Sequence, residues 1–177
     1  LTGTSGLSGA CRSAVESLGA TKAVVLGGEN AVSGQVVSEL EAMGLSVERV
    51  AGDDVYGTSM ACTRYLLAHG GSQRYAIACN PTSFVDAVSI SGWAYANKVP
   101  VMLQTWGDTA ADRGFDAEAQ QILTGRQLIV AGGPAAVSDE SLAGIDAASV
   151  TRLGGADAFQ TSLAIAEWEL EHGMSAS

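Results

Sequence analysis

The sequence is poor in basic residues, and this shortage limits what the chain can bind. Nine Lys and Arg residues stand against 19 Asp and Glu residues, so the formal net charge is −10. The nine cations are scattered singly along the chain, whereas a nucleic-acid surface needs them clustered. We therefore expect no nucleic-acid partner.

Cysteine and long apolar runs are also scarce. The three cysteines, Cys11, Cys62 and Cys79, are too few and too unevenly spaced for a disulfide framework or a zinc site, although a Cys11–Cys62 bridge stays open. Cys79 ends an apolar run and is expected to be buried. No run of 18 uncharged apolar residues could cross a membrane, and no signal peptide is visible. The start at Leu1 suggests a mature or excised fragment.

What the chain has is apolar residues, glycine and an internal duplication. Hydrophobic residues make up 47% and glycines number 22, which suits an α/β protein with many strand-to-helix turns. Residues 22–33 (KAVVLGGENAVS) return as residues 127–138 (QLIVAGGPAAVS), and residues 49–59 (RVAGDDVYGTS) return as residues 152–162 (RLGGADAFQTS). Between residues 49–70 and 152–173, 9 of 22 positions are identical. The chain is therefore interpreted as a duplication.

The duplication predicts a slice through a longer array of repeats. Only one period is complete, at residues 49–150. Residues 1–48 are expected to be the C-terminal part of a preceding repeat, and residues 151–177 the N-terminal part of a following one. Neighbouring repeats are then natural partners, and association of copies through the incomplete ends is conceivable.

Alternating strands and helices predict an α/β fold with parallel sheets. Apolar runs predict strands at residues 75–79, 99–103 and 128–131, the first of them buried on both faces. Asn80 and Pro81 predict the start of a helix that continues to about Asn97. The SDES run at 138–141, with its two acidic residues, predicts the cap of a further helix, and a helix is expected near residues 116–123. The polar stretch 105–115 is expected to be a loop.

These motifs resemble the second type of cell-wall-binding repeat, found in surface proteins of clostridia and actinobacteria. The resemblance is carried by the duplicated RxxGxDx(aromatic)xTS motif, the strand followed by GGxxAVS, the FVDAV run at 84–88 and PVML at 100–103. It implies tandem Toprim-like or Rossmann-like repeats, one complete and the others partial, packed about a pseudo-threefold axis. It also implies non-covalent, extracellular attachment to an anionic wall polymer. The family usually has Arg at the positions of Val55 and Ala158, which leaves open whether the chain binds such a polymer.

Several residues are candidates for polymer contact, and each also has a structural interpretation. Arg49 and Arg152 end equivalent strands, and either contact a polyanion or pair with the aspartates five residues on to pin a turn. The pairs Gly27–Gly28 and Gly132–Gly133 either cradle phosphate at a helix N-terminus or form tight turns. The turn itself is attributed to Asp54, Thr58, Asp157 and Thr161.

Aromatic and acidic residues supply the remaining candidates. Trp106, in the polar loop, is the best candidate for stacking on a sugar, ahead of Trp93 and Trp168. Asp86, in the first turn of a helix, is interpreted as a capping residue rather than a catalytic acid. We expect no catalytic residues, no metal and no cofactor.

Three functions remain open. The first is a non-catalytic module that anchors a secreted surface protein to a wall polysaccharide or teichoic-acid-like polymer through repeated weak contacts. The second is a structural spacer without a ligand. The third is a small domain that binds a nucleotide or phosphate through its glycine pairs.

Overall fold

The computed structural model describes residues 2–82, 84–109 and 112–174, in which helices alternate with parallel strands. The strands are β1 (Lys22–Leu26), β2 (Ser46–Val50), β3 (Tyr75–Cys79), β4 (Val101–Leu103), β5 (Gln127–Ala131) and β6 (Ser149–Leu153). The helices are α1 (Gly9–Ser17), α2 (Gly34–Ala42), α3 (Val55–Ala68), α4 (Phe84–Ser89), α5 (Ser91–Ala96), α6 (Ala117–Leu123) and α7 (Ala158–Glu171). The predicted α/β class with parallel sheets is confirmed. No described helix has the length and apolarity needed to cross a bilayer.

The chain divides into two compact units, Leu1–Cys62 and Thr63–Ser177, and the division falls within α3. We call them the first and the second unit. The predicted repeat bounds, 1–48, 49–150 and 151–177, follow the sequence period instead and stay a prediction.

The first unit is built on a two-stranded parallel sheet. Strands β1 and β2 pair in register from Lys22 opposite Ser46 to Leu26 opposite Val50. One face of β1 packs on α2, which presents two residues a helical turn apart to a core containing Val25, Val36, Leu40 and Leu45. Helix α1 begins where Ser8 accepts a hydrogen bond from the Cys11 amide at 3.1 Å.

The second unit is built on a four-stranded parallel sheet in the order β4-β3-β5-β6. Strand β3 is central and its residues 76–79 are fully buried, as its apolar sequence predicts. On one face the helices cover Ile77 and Ile129 with Ile90, Trp93 and Ile165. The Trp93 indole donates to the carbonyl of His172 at 3.0 Å, and its ring packs edge-on against Tyr75 and Trp168.

The helix predicted from Asn80 to Asn97 is wrong in its start and its continuity. The Asn80 side chain accepts from both the amide and the hydroxyl of Thr82, which closes a turn, and α4 begins only at Phe84. The chain then breaks into α4 and α5 where two hydroxyls, those of Ser89 and Ser91, bond to main-chain carbonyls of the preceding turn. Such bonds compete with helical ones.

The helix predicted after residues 138–141 is also wrong, because only a 3₁₀ turn at Glu140–Leu142 forms there. In the first unit Ser46 lies 24 positions after its partner Lys22, whereas in the second Ser149 lies 22 positions after Gln127. The connection in the second unit is thus two residues shorter and has no counterpart of α2. The predicted helix near 116–123 is confirmed, with the Asp116 side chain accepting from the Ala119 amide as its cap.

The three cysteines are free, so the Cys11–Cys62 bridge is not formed. Cys79 is fully buried at the end of β3, as expected. Burial, with the nearby Asp86 carboxylate adding to it, raises the pKa of the Cys79 thiol to about 12. This thiol is therefore a core group and not a nucleophile.

Candidate functional site

The two copies of the glycine pair have the same backbone structure. Gly27 follows β1 with φ 111°, and Gly132 follows β5 with φ 115°, a region that disfavours residues with a Cβ. The Gly27 amide donates to the Val50 carbonyl at 2.9 Å, and the Gly132 amide to the Leu153 carbonyl at 2.8 Å. The first glycine of each pair thus continues the hydrogen bonding between its strand and the neighbouring strand for one more residue.

The turn after the second strand of each copy is closed by a threonine. The Gly52 amide donates to the hydroxyl of Thr58 at 3.1 Å, and the Gly155 amide to that of Thr161 at 3.0 Å. The bond holds the turn against the first residues of the following helix in both copies.

An aspartate caps that helix in both copies. The Asp54 carboxylate accepts from the Gly57 amide at 2.6 Å, and the Asp157 carboxylate accepts from the Gln160 amide at 2.8 Å. A carboxylate at this position satisfies a free amide and suits the helix dipole. The two aspartates are therefore occupied by main-chain contacts.

The expected pairing of the strand-end arginines with these aspartates is wrong. Neither pair occurs among the ion pairs of the described residues. Instead, Arg49 donates to the Gly27 carbonyl at 2.6 Å, and Arg152 donates to the Gly132 carbonyl at 3.2 Å. Both guanidinium groups tie one glycine turn to the neighbouring strand, and because their acceptors are main-chain carbonyls, no residue type in the sequence marks these contacts.

Arg152 has two further acceptors that Arg49 lacks. It donates to the Val137 carbonyl at 2.7 Å and to the Asp139 carboxylate at 2.6 Å. The residue corresponding to Asp139 in the first copy is Gly34, which has no side chain to offer. Arg152 is thus held in a fork of acceptors, whereas Arg49 keeps part of its donor capacity for other partners.

The backbone around the glycine pairs is hydrogen-bonded as in a tight turn. Helix α2 begins at Gly34, six residues beyond Gly28, and the first amide of each pair is already bonded within the sheet. The Gly28 carbonyl accepts from two amides of the following turn, those of Ala31 and Val32. These contacts favour the interpretation as tight turns.

The loop after β4 carries an exposed indole with a cation on it. Trp106 is 42% exposed, and the Arg113 guanidinium lies 3.8 Å from the centre of its ring. Arg113 also donates to the Gly107 carbonyl at 3.3 Å, and the loop is closed by an antiparallel bridge between Thr105 and Gly114. Arg113 was missed as a candidate, because nothing in the sequence pattern marks a stack between residues seven apart in a loop.

One acidic residue of this loop, Asp112, is bonded within the loop itself. The Asp112 carboxylate accepts from the Thr109 hydroxyl at 2.7 Å and from its amide at 3.2 Å, and these bonds lower the Asp112 pKa. Across residues 2–82, 84–109 and 112–174, no three His, Cys, Asp or Glu side chains come together as a metal site.

The other two tryptophans are less exposed than Trp106. Trp93 is 2% exposed, and Trp168 packs against the same core. Each copy has an aromatic ring stacked on a histidine one helical turn later, Tyr65 on His69 and Trp168 on His172. These rings have a packing role.

The fold defines the class, an α/β protein with parallel sheets, in which one strand-end turn occurs twice. The chain belongs to the cell wall binding domain 2 (CWB2) family, whose pattern matches residues 49–142, just over half of its length. No curated protein sequence matches the chain.

Two solved structures from Clostridium difficile are similar to the chain. Cwp8 is 27% identical with a TM-score of 0.76, and the similarity covers 93% of this chain and 28% of that one. Cwp6 is 19% identical with a TM-score of 0.77, covering 93% and 26% respectively, and shows the fold alone. The chain thus spans about a quarter of the length of these proteins.

Proposed function

We propose that the chain is a non-catalytic, extracellular module that holds a surface protein on the bacterial cell wall through repeated weak contacts with an anionic polymer. Membership of a cell wall binding family is the observation that carries this proposal. Each complete repeat is a Toprim-like or Rossmann-like unit, and the chain samples an array at 1–48, 49–150 and 151–177. No cofactor takes part.

We assign the polymer contact to exposed or half-buried side chains at or after the carboxyl ends of parallel strands. Trp106 offers its ring to a sugar, and Arg113 stacked on it offers donors to an acidic group of a wall polysaccharide or teichoic-acid-like chain. Arg49 contributes from the strand end of the first copy. Because the net charge is −10, an anionic chain is repelled at long range, so contacts have to be local and repeated.

A structural spacer without a ligand is the second candidate. It is favoured by the main-chain partners that occupy Arg152 and by Val55 and Ala158, which stand where the resemblance implies arginine. In that case the turns serve only to join repeats, and copies of the chain associate through their incomplete ends.

Co-sedimentation with purified Clostridium difficile walls separates the two candidates. A binding module pellets with walls at low salt and is released as salt rises, since charge contacts are screened. Hydrofluoric acid cleaves phosphodiester-linked polymers from peptidoglycan, so treated walls should lose a teichoic-acid-like ligand. Absence of binding to untreated walls at low salt would contradict the binding module and favour the structural spacer.

Two variants and a control locate the contact. Trp106→Ala and Arg113→Gln are each expected to weaken wall binding about fivefold or more, equivalent to roughly 1 kcal/mol. Tyr95→Ala is the matched control, because Tyr95 is 89% exposed and lies on α5. An equal loss in all three variants would contradict the assignment.

A further inference from the structure

A groove of about 620 Å³ lies at the amino end of strand β4, within the second unit. Its lining comes from the end of α3, from α5 and from the residues that lead into β4. Leu66, Ala94, Val99 and Val101 make this lining mainly apolar. The volume falls in the range of about 300–1,000 Å³ that is typical of small-molecule sites.

The groove is separate from the proposed polymer contact. Trp106 and Arg113 lie in the loop that follows the carboxyl end of β4, whereas the groove lies where β4 begins. Sugar hydroxyls lose their hydrogen bonds to water on an apolar surface and find no partner there. The groove therefore suits a ligand with a hydrocarbon part rather than a sugar.

Lys98 lines the groove and carries an ammonium group without a carboxylate partner. Within residues 2–82, 84–109 and 112–174 it forms no ion pair, whereas the nitrogen of Lys22, the other lysine of the chain, lies 2.7 Å from Glu48. No described residue that lines the groove is acidic, although the chain has 19 Asp and Glu residues. The groove thus combines an apolar lining with a cation that is free to pair with an anion.

The backbone at Lys98 gives a second, independent reason to look for a ligand there. Lys98 has φ 52°, and in the described part of the chain it is the one residue other than glycine with a positive φ. It directly follows the C-cap of α5, a position where a left-handed glycine is common. The Ser72 amide donates to the Lys98 carbonyl at 2.7 Å and holds the turn. Residues kept in such a conformation cluster at ligand sites.

We propose that this groove binds a single-chain amphiphilic anion, of the class of a fatty acid carboxylate, free in solution. The hydrocarbon chain lies against Leu66, Ala94 and Val101, and the carboxylate pairs with the Lys98 ammonium. A second copy of the chain is a poorer occupant, because two molecules that each carry a net charge of −10 repel one another.

Isothermal titration calorimetry with three small probes tests the proposal at neutral pH, where a carboxylic acid is ionised. Octanoate is expected to bind at a single site. 1-Octanol has a hydrocarbon chain of the same length without the charge, and should bind about fivefold more weakly because it forms no ion pair with Lys98. Acetate has the charge without the chain and should show no binding, because it buries no hydrocarbon.

The two lysines of the chain supply a matched pair of variants. Lys98→Gln should lower the octanoate affinity about fivefold, to that of 1-octanol, and leave 1-octanol binding unchanged. Lys22→Gln removes the other lysine, in the first unit, and should leave octanoate binding unchanged. Lys98→Gly should lose the same affinity as Lys98→Gln and melt no lower than the parent chain, because glycine adopts a positive φ without strain.

A further variant blocks the apolar part of the groove. Ala96 lines the groove and is exposed, so Ala96→Trp should fill the space without disturbing the core. It should abolish the binding of both octanoate and 1-octanol while the melting temperature stays unchanged.

Absence of octanoate binding, or equal octanoate affinity in Lys98→Gln and the parent chain, would overturn the proposal. So would sedimentation of the chain as a dimer that Ala96→Trp dissociates, since a second copy would then be the occupant. The titrations contain no cell walls, so their outcome is independent of whether the module binds a wall polymer.

Discussion

The two strand-end turns of this chain are the same locally and different in their surroundings. In both copies a left-handed glycine extends the strand pairing, a threonine closes the turn and an aspartate caps the next helix. In the second unit the glycine also lies against a buried carboxylate, and the strand before it is covered on both sides. Local sequence thus sets the form of the turn, and tertiary packing sets what surrounds it.

The largest effect is expected from removing the aromatic centre of the second unit. Trp93→Ala deletes a side chain that is 2% exposed and leaves the His172 carbonyl without its donor. The free energy of unfolding should fall by about 3–5 kcal/mol. Urea denaturation followed by circular dichroism measures this loss, and Tyr95→Ala on the same helix should cost less than about 0.5 kcal/mol.

The destabilisation caused by Trp93→Ala is expected in the second unit and not in the first. Hydrogen exchange should accelerate in β5, whose face packs in the cluster of Trp93, and much less in β1, which has no such partner. Equal acceleration of exchange in both strands would mean that the two units unfold as a single cooperative unit.

The local structure of the turns and of strand β3 could be predicted from the sequence, whereas the contacts around them could not. The duplication predicts both turns, since the glycine pair, the threonine and the aspartate occur at corresponding positions. Strand β3 is predicted residue for residue, because a short apolar run is typical of a buried parallel strand. These are local signals, and each is present within a dozen residues.

The features that could not be predicted from the sequence depend on contacts between distant residues or on small differences in loop length. The carbonyl partners of Arg49 and Arg152 are main-chain atoms and leave no mark on residue identity. The absence of a counterpart to α2 accompanies a connection that is two residues shorter, a small difference that a sequence pattern does not interpret. The stack of Arg113 on Trp106 depends on how one loop closes.

The second effect compares the two left-handed glycines. Both Gly27→Ala and Gly132→Ala force a Cβ into a positive-φ conformation, which costs about 1–3 kcal/mol. Gly132→Ala should cost at least about 1 kcal/mol more, because its Cβ would be 2.7 Å from the Asp86 carboxylate. Circular dichroism melting curves of both variants give the difference.

A double variant identifies the source of that difference. Asp86→Ala removes the carboxylate that the new Cβ meets, so the cost of Gly132→Ala measured in that background should approach the cost of Gly27→Ala. If the extra cost persisted without Asp86, the two turns would differ in backbone strain, and their equivalence would fail.

The third effect compares the two arginines. Arg152→Lys loses a fork of three acceptors and should cost about 1–2 kcal/mol, whereas Arg49→Lys loses one carbonyl contact and should cost about 0.5–1 kcal/mol. Asp139→Asn keeps the shape of the acceptor and removes its charge. It should lower the cost of Arg152→Lys toward that of Arg49→Lys, as a double-mutant cycle in urea would measure.

The smallest effect tests the equivalence of the turns directly. Thr58→Val and Thr161→Val keep the volume of the side chain and remove the hydroxyl that accepts from a glycine amide, at 3.1 Å and 3.0 Å respectively. Each should cost about 1 kcal/mol, and the two costs should agree within about 0.5 kcal/mol because the bonds are alike.

Serine controls separate the hydroxyl from the methyl group. Thr58→Ser and Thr161→Ser keep the acceptor and should recover most of the stability lost in the valine variants. All three tryptophans lie in the second unit, so fluorescence follows Thr161 variants and hydrogen exchange in β1 follows Thr58 variants. If only Thr161→Val were destabilising, the Thr58 bond would contribute nothing to the stability of the first unit. The same hydrogen bond would then stabilise the turn only where the preceding strand is covered, as in the second unit.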